Sequence, residues 1–109
     1  MEGHEDAEIT AEGLAAKKKR GEDIVLLDVR EQWERDICTI SNDIQIPMRD
    51  VRTRFTELPK DKEIIVYCHT GNRSFWITNF LLSQGFRAKN LEGGIDEWAE
   101  KIEKEMKRY

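Results

Sequence analysis

Short apolar runs alternate with apolar residues at helical spacing along the chain. Ile24 to Leu27 is a continuous apolar run, as expected of a strand covered on both faces, and Asp28-Val29-Arg30 closes it. Ile44 and Ile46 mark a second short strand, stopped by Pro47, while Ile64–Tyr67 and Arg87–Leu91 supply two more. Helical segments fall between them. Ala11 to Arg20 predicts a helix with Thr10 as N-cap and Gly21 just past its end. Glu31 to Asp36 predicts a short one. Val51, Phe55 and Leu58 share one helix face, and Pro59 ends that element. Arg73 to Ser83 predicts a longer helix with Gly85 beyond it. After the Glu92-Gly93-Gly94 turn, Ile95, Trp98, Ala99, Ile102 and Met106 line one face of a final helix. Strands separated by helices predict an α/β domain with a mostly parallel sheet. Ligands of such sheets bind beyond the carboxyl ends of the strands, where Asp28 and Cys68 fall.

Composition narrows the picture. A chain of 109 residues fits one domain. Met1 to Glu8 reads as a flexible acidic tail, with His4 a solvated residue within it, ahead of a single domain over 9–109. Acidic residues outnumber basic ones, 22 to 18, which argues against a nucleic-acid partner. The Lys17-Lys18-Lys19-Arg20 run suits the negative end of a helix dipole and needs no polyanion to explain it. No apolar run nears the roughly 20 residues of a membrane span, and the acidic start lacks the apolar stretch of a secretory signal, so a cytoplasmic location is expected. Two cysteines, Cys38 and Cys68, are too few for a disulfide scaffold, and no Cys/His cluster has zinc spacing.

The chemistry concentrates after the Ile64–Tyr67 strand, in Cys68-His69-Thr70-Gly71-Asn72-Arg73-Ser74. Cys68 falls where a buried strand ends and a helix begins, and four residues separate it from Arg73. A loop of that length, with a glycine in it, can turn several N–H groups toward one anionic atom. The helix start and the guanidinium add to the effect. Such a setting favours the thiolate of Cys68, which is the nucleophilic form.

The chain resembles the single-domain rhodaneses over roughly Ile9 to Trp98. The resemblance is carried by Leu26-Leu27-Asp28-Val29-Arg30-Glu31, Ile44-Gln45-Ile46-Pro47, the Cys68–Ser74 loop, Gln84-Gly85-Phe86, Asn90-Leu91-Glu92-Gly93-Gly94-Ile95 and Trp98, in that order. It implies a mostly parallel five-stranded sheet with helices on both faces. It also implies a sulfurtransferase whose Cys68 carries a persulfide. Sulfur would come from thiosulfate or a persulfide and pass to a thiol or cyanide, or to a protein acceptor, with no metal or organic cofactor. His69, Thr70, Gly71, Asn72, Arg73 and Ser74 would form the substrate loop, and Asp28 and Arg30 would support it.

Two other functions stay in view. One is a protein-partnered sulfur carrier. The other is a phosphatase or arsenate reductase, which the four-residue spacing disfavours, since protein tyrosine phosphatases place five residues between Cys and Arg. Individual residues also read two ways. His69 either favours the thiolate and meets anionic donors or points to water. Cys38 is an inert residue or a resolving thiol for Cys68. Trp33 and Trp98 are expected to pack in the core. Phe75 and Trp76 are expected there too, with an exposed apolar rim as the alternative. The family usually has Gly-His-Ile-Pro-Gly-Ala where this chain has Cys38-Thr39-Ile40-Ser41-Asn42-Asp43, and Asn42 is suited to a left-handed turn there.

Overall fold

A computed structural model describes residues 7–109. Most of the expected acidic tail, Met1 to Asp6 with His4, lies outside these residues. Its last residue does not behave as tail: Glu8 belongs to a short strand, β1 (Glu8–Ile9). The other strands are β2 (Ile24–Asp28), β3 (Asp43–Gln45), β4 (Glu63–Tyr67) and β5 (Arg87–Leu91). They form one five-stranded sheet in the order β1-β5-β4-β2-β3, and every pair is parallel. The helices are α1 (Ala11–Lys19), α2 (Gln32–Arg35), α3 (Val51–Arg54), α4 (Asn72–Ser83) and α5 (Gly94–Lys101).

Strand alternation sends successive side chains to opposite faces, so the sheet divides two cores. On one side Leu27, Ile64, Val66 and Ala88 pack with Val51, Ile77 and Leu81 from α3 and α4. On the other, Leu26, Ile65, Tyr67 and Leu91 pack with Leu14, Ile95 and Trp98 from α1 and α5. Covering both faces explains the unbroken apolar runs of β2 and β4.

Three elements differ from expectation. The helix expected from Val51 to Leu58 is a single α turn between two 3-10 turns, Met48–Asp50 and Phe55–Glu57. Pro47 and Pro59 bracket this stretch, and Pro59 turns Leu58 out of helical conformation, to ψ of 144°. The last helix stops at Lys101, where the amides of Ile102 and Glu103 both donate to Trp98 O. Ile102, Met106 and Tyr109 still pack against the α1/α5 core beyond it. Finally, Trp98 is buried as expected, but Trp33 is 60% exposed, Phe75 42% and Trp76 65%. α4 begins beyond the carboxyl end of the central strand β4, and its buried stripe of Ser74, Ile77, Thr78 and Leu81 turns residues 75 and 76 outward.

A charged cluster ties the carboxyl end of β2 to the start of β3. Asp28 and Arg30 are fully buried and joined by hydrogen bonds of 2.9 Å from Nε to Oδ1 and from Nη2 to Oδ2. Arg35 bridges Asp28 and Asp43, at 2.8 and 2.7 Å. The Tyr67 hydroxyl donates to Asp43 and accepts from Ile40 N–H. Arg30 also donates to the Cys38 carbonyl, which ties down the unusual Cys38–Asn42 segment. Asn42 takes the expected left-handed conformation, with φ of 64°.

The end of β4 is held from α5. The amides of Ile95 and Asp96, in the first turn of that helix, donate to the carbonyls of Cys68 and His69, each at 3.0 Å. Gly94 makes this approach possible: it has φ of 62°, and a Cβ there would lie 2.3 Å from His69 O and 2.6 Å from Cys68 O. Gly94→Ala is therefore expected to lower stability by about 2 kcal/mol or more, because backbone rather than a flexible side chain blocks the methyl. Urea denaturation checks this. A change within about 0.5 kcal/mol would contradict the close packing described.

Candidate active site

The site forms where β4 gives way to α4. Cys68 follows the strand and is 1% exposed, with its side chain in the α3/α4 core. Gly71 takes φ of 104°, which reverses the chain after the Cys68-His69-Thr70 step. As a result Gly71 N–H donates to Cys68 Sγ at 3.2 Å and Ser74 N–H at 3.4 Å, with Ser74 Oγ 3.3 Å from the sulfur. The Asn72 and Arg73 amides also lie in the first turn of α4, where a helix offers N–H groups no internal acceptor. The positive end of the α4 dipole thus faces the sulfur.

Ser74 is positioned by a residue that sequence reading missed. Its Oγ lies 2.5 Å from Asn90 Oδ1, on β5, and the Asn90 amide nitrogen donates to Gly71 O at 3.2 Å. Asn90 Nδ2 is also 3.2 Å from Glu8 Oε1, so β1 reaches into the site. Burial, and Glu92 to a lesser degree, push the Glu8 carboxyl up against the opposing effect of Asn90. The single Ser74 hydroxyl proton can serve Asn90 or Sγ, not both. An uncharged thiol is matched by the first arrangement and a thiolate by the second.

Arg73 does not extend freely into solvent. It makes a two-point pair with Glu34 of α2, Nη1 to Oε1 and Nη2 to Oε2, both at 2.8 Å. Glu34 is buried and fully supplied with donors, since Glu31 N–H and the Tyr109 hydroxyl also reach its carboxylate. Burial works against its charge, but Arg73 and these donors prevail and hold it at about 2. The only sequence sign of Glu34 was its place three residues after Glu31, at the start of α2.

The remaining candidates fall into four groups. Thr70 and Asn72 are exposed on the loop's outer side. His69 is stacked against Tyr109 with ring centres 3.9 Å apart, and its Nε2 is buried without a hydrogen-bond partner, so it does not point freely to water. Asp28 and Arg30 make no hydrogen bond to Cys68; Arg30 instead donates to the Glu34 carbonyl and to the Tyr109 hydroxyl, beside the partner of Arg73. Cys38 and Cys68 are both free thiols and pack on opposite faces of the sheet, which removes Cys38 as a resolving partner in this fold. No group of His, Cys, Asp and Glu side chains among the described residues could hold a metal ion.

Beside the loop lies an open groove of about 610 Å³, lined by Glu31, Met48, Arg49, Arg52, Arg73, Trp76, Ile77 and Phe80. The exposed rim that sequence reading held as an alternative for Trp76 is thus realised.

Comparison with known proteins agrees with this architecture. A sulfurtransferase of Allochromatium vinosum is 38% identical over 93 residues, covering 84% of this chain and 87% of that protein. A putative sulfurtransferase of Bacillus subtilis, YtwF, is 36% identical, with 84% and 88% covered. Among solved structures, a rhodanese-related protein of Thermoplasma volcanium superposes with a TM-score of 0.81 at 36% identity, covering 87% of this chain and 92% of that one. The model of the rhodanese-like domain matches residues 10–101, and the chain belongs to that family.

Proposed function

We propose that the protein is a sulfurtransferase that carries a sulfane sulfur as a persulfide on Cys68. The observation that supports this most directly is the convergence of Gly71 N–H, Ser74 N–H and the Ser74 hydroxyl on one buried sulfur. The Cys68 thiolate attacks the outer sulfur of thiosulfate; the new S–S bond forms, the old one breaks, and sulfite leaves with the electron pair. The product is Cys68–S–S⁻. Cyanide or an acceptor thiolate then attacks the outer sulfur, and Cys68 departs as thiolate. Two displacements through one covalent intermediate give ping-pong kinetics. A persulfide donor reacts in the same way, with a thiolate as leaving group.

The loop is suited to this cargo. A terminal persulfide sulfur is one anionic atom, and the free amides at the start of α4 are preorganised donors for it. Arg73 braces the loop through its two-point pair with Glu34. A phosphate presents several oxygens at once, and a loop with four residues between Cys68 and Arg73 offers it less room. This favours sulfur transfer over phosphatase or arsenate reductase chemistry. The exposed Trp76 and Phe75 beside the loop keep a protein acceptor open as the second reading, in which turnover with cyanide is weak and Cys68 relays sulfur to a partner. None of these steps calls for a metal or organic cofactor. Among the described residues no helix is long and apolar enough to cross a membrane.

Exposure to thiosulfate or a persulfide is expected to add one sulfur atom to the protein by intact mass. A reductant should remove the atom, cyanide should convert it to thiocyanate, and Cys68→Ser should not acquire it. Sulfur loading of Cys68→Ser equal to that of the parent would contradict the assignment.

The Glu34–Arg73 pair makes a separate prediction. The folded-state value of Glu34 lies below its ordinary one, so the pair's contribution to stability is complete above about pH 4.5 and is lost as pH falls toward 2. Glu34→Gln should lower stability at pH 7 by the order of 2 kcal/mol and flatten the decline in urea midpoint across that acid range. It should also slow sulfur loading by about tenfold or more as Arg73 loses its anchor. An acid-unfolding profile unchanged by Glu34→Gln would show that the pair does not contribute as described.

A further inference from the structure

We infer that the groove beside the cysteine loop binds the organic part of the sulfur donor, and that this donor is a small persulfide bearing a carboxylate. The inference rests on the sulfur-transfer reading above and adds the substrate class. At about 610 Å³ the groove falls within the range of small-molecule sites and far exceeds what thiosulfate needs. It adjoins the reaction centre: Arg73, in the first turn of α4, lines the groove, and Met48 and Ile77, which also line it, pack in the same core as Cys68. Its walls are apolar and aromatic, from Met48, Trp76, Ile77 and Phe80. Trp76 would otherwise be a large apolar surface left 65% exposed.

Charge sets the occupant's sign. Arg73 is neutralised by Glu34, and Arg49 by Glu31 at 2.6 Å. Arg52 also lines the groove and has no carboxylate partner among the described residues; its guanidinium lies 5.6 Å from the centre of the Phe80 ring. One uncompensated guanidinium matches one carboxylate, which its fork can bind through two hydrogen bonds. A polyphosphate would gain less there, because the Glu31 carboxylate lies in the same groove. The occupant is therefore an organic thiol persulfide of roughly peptide size, with an apolar stem over Trp76 and a carboxylate on Arg52. In the reaction, Cys68–S⁻ attacks the outer sulfur of R–S–SH, forming Cys68–S–SH. The donor's own S–S bond breaks, and R–S⁻ leaves with the electron pair.

The test uses glutathione persulfide, the persulfide of glutathione diethyl ester, coenzyme A persulfide and thiosulfate as donors. Loading of Cys68 is followed by mass and by release of the leaving thiol or sulfite. The expected result is a KM for glutathione persulfide about tenfold below that of its ester. Arg52→Ala should abolish that difference, Arg52→Lys should restore part of it, and Trp76→Ala should raise KM for both organic donors. Loading by thiosulfate should stay within about twofold in all three variants, which also reports that they are folded. Equal KM for acid and ester, an Arg52→Ala effect shared by thiosulfate, or a preference for coenzyme A persulfide would each overturn the inference while leaving transfer through Cys68 intact. Absence of Cys68 loading by every donor would remove the sulfur-transfer reading itself, and this inference with it.

Discussion

Six residues after Cys68 the chain must have turned far enough for its amides to point back at one sulfur atom, and most of the structure around the site serves that turn. Left to itself, a short polar loop would direct its N–H groups to water. Here α5 grips the Cys68 and His69 carbonyls, Asn90 binds the Gly71 carbonyl, and Gly71 takes a left-handed conformation. With the carbonyls drawn outward, the amides are left to face inward. The resulting field is built into the folded chain, which is the condition under which fixed donors act on a developing anion.

Holding this turn places buried charge in a mainly apolar interior. The Asp28–Arg30–Arg35–Asp43 cluster and the Glu34–Arg73 pair, which joins α2 to the start of α4, are linked through Arg30 and Tyr109. Such clusters are poor net contributors to stability, because desolvation offsets much of the attraction, but removing one member leaves an unpaired charge and is costly. That asymmetry suits a scaffold whose task is to hold one geometry. Arg73 belongs to the cysteine loop by sequence and to α2 by ion pairing, and so couples the two.

Local features of the sequence led directly to β2, β3, β4 and β5, to a mostly parallel sheet, to the position of Cys68 at a strand end and to the spacing to Arg73, but not to the two-residue β1 or to the order of the strands. These rest on apolar runs and nearest-neighbour punctuation. What stayed hidden depends on contacts far apart in the chain. Glu34 meets Arg73 across 39 residues, and Glu8 meets Asn90 across 82. A glutamate in a short, polar α2 gives no sign that it will be buried, and an asparagine in a strand reads as an exception rather than a clamp. Glycines 93 and 94 announced a turn, but only the fold shows that Gly94 is also the surface against which the Cys68-His69 peptide rests. Phe75 and Trp76 misled for a related reason: hydrophobicity alone suggests burial, while the phase of α4, fixed by Ile77 and Leu81, turns both outward.

The central claim is that the loop amides hold the charge of a sulfur carried on Cys68. Amide proton and nitrogen shifts before and after sulfur loading address it most directly. The account predicts that the largest changes fall on Gly71, Asn72, Arg73 and Ser74, with little change around Cys38. Loading that leaves those four amides unmoved, or that perturbs the Cys38 segment instead, would contradict it.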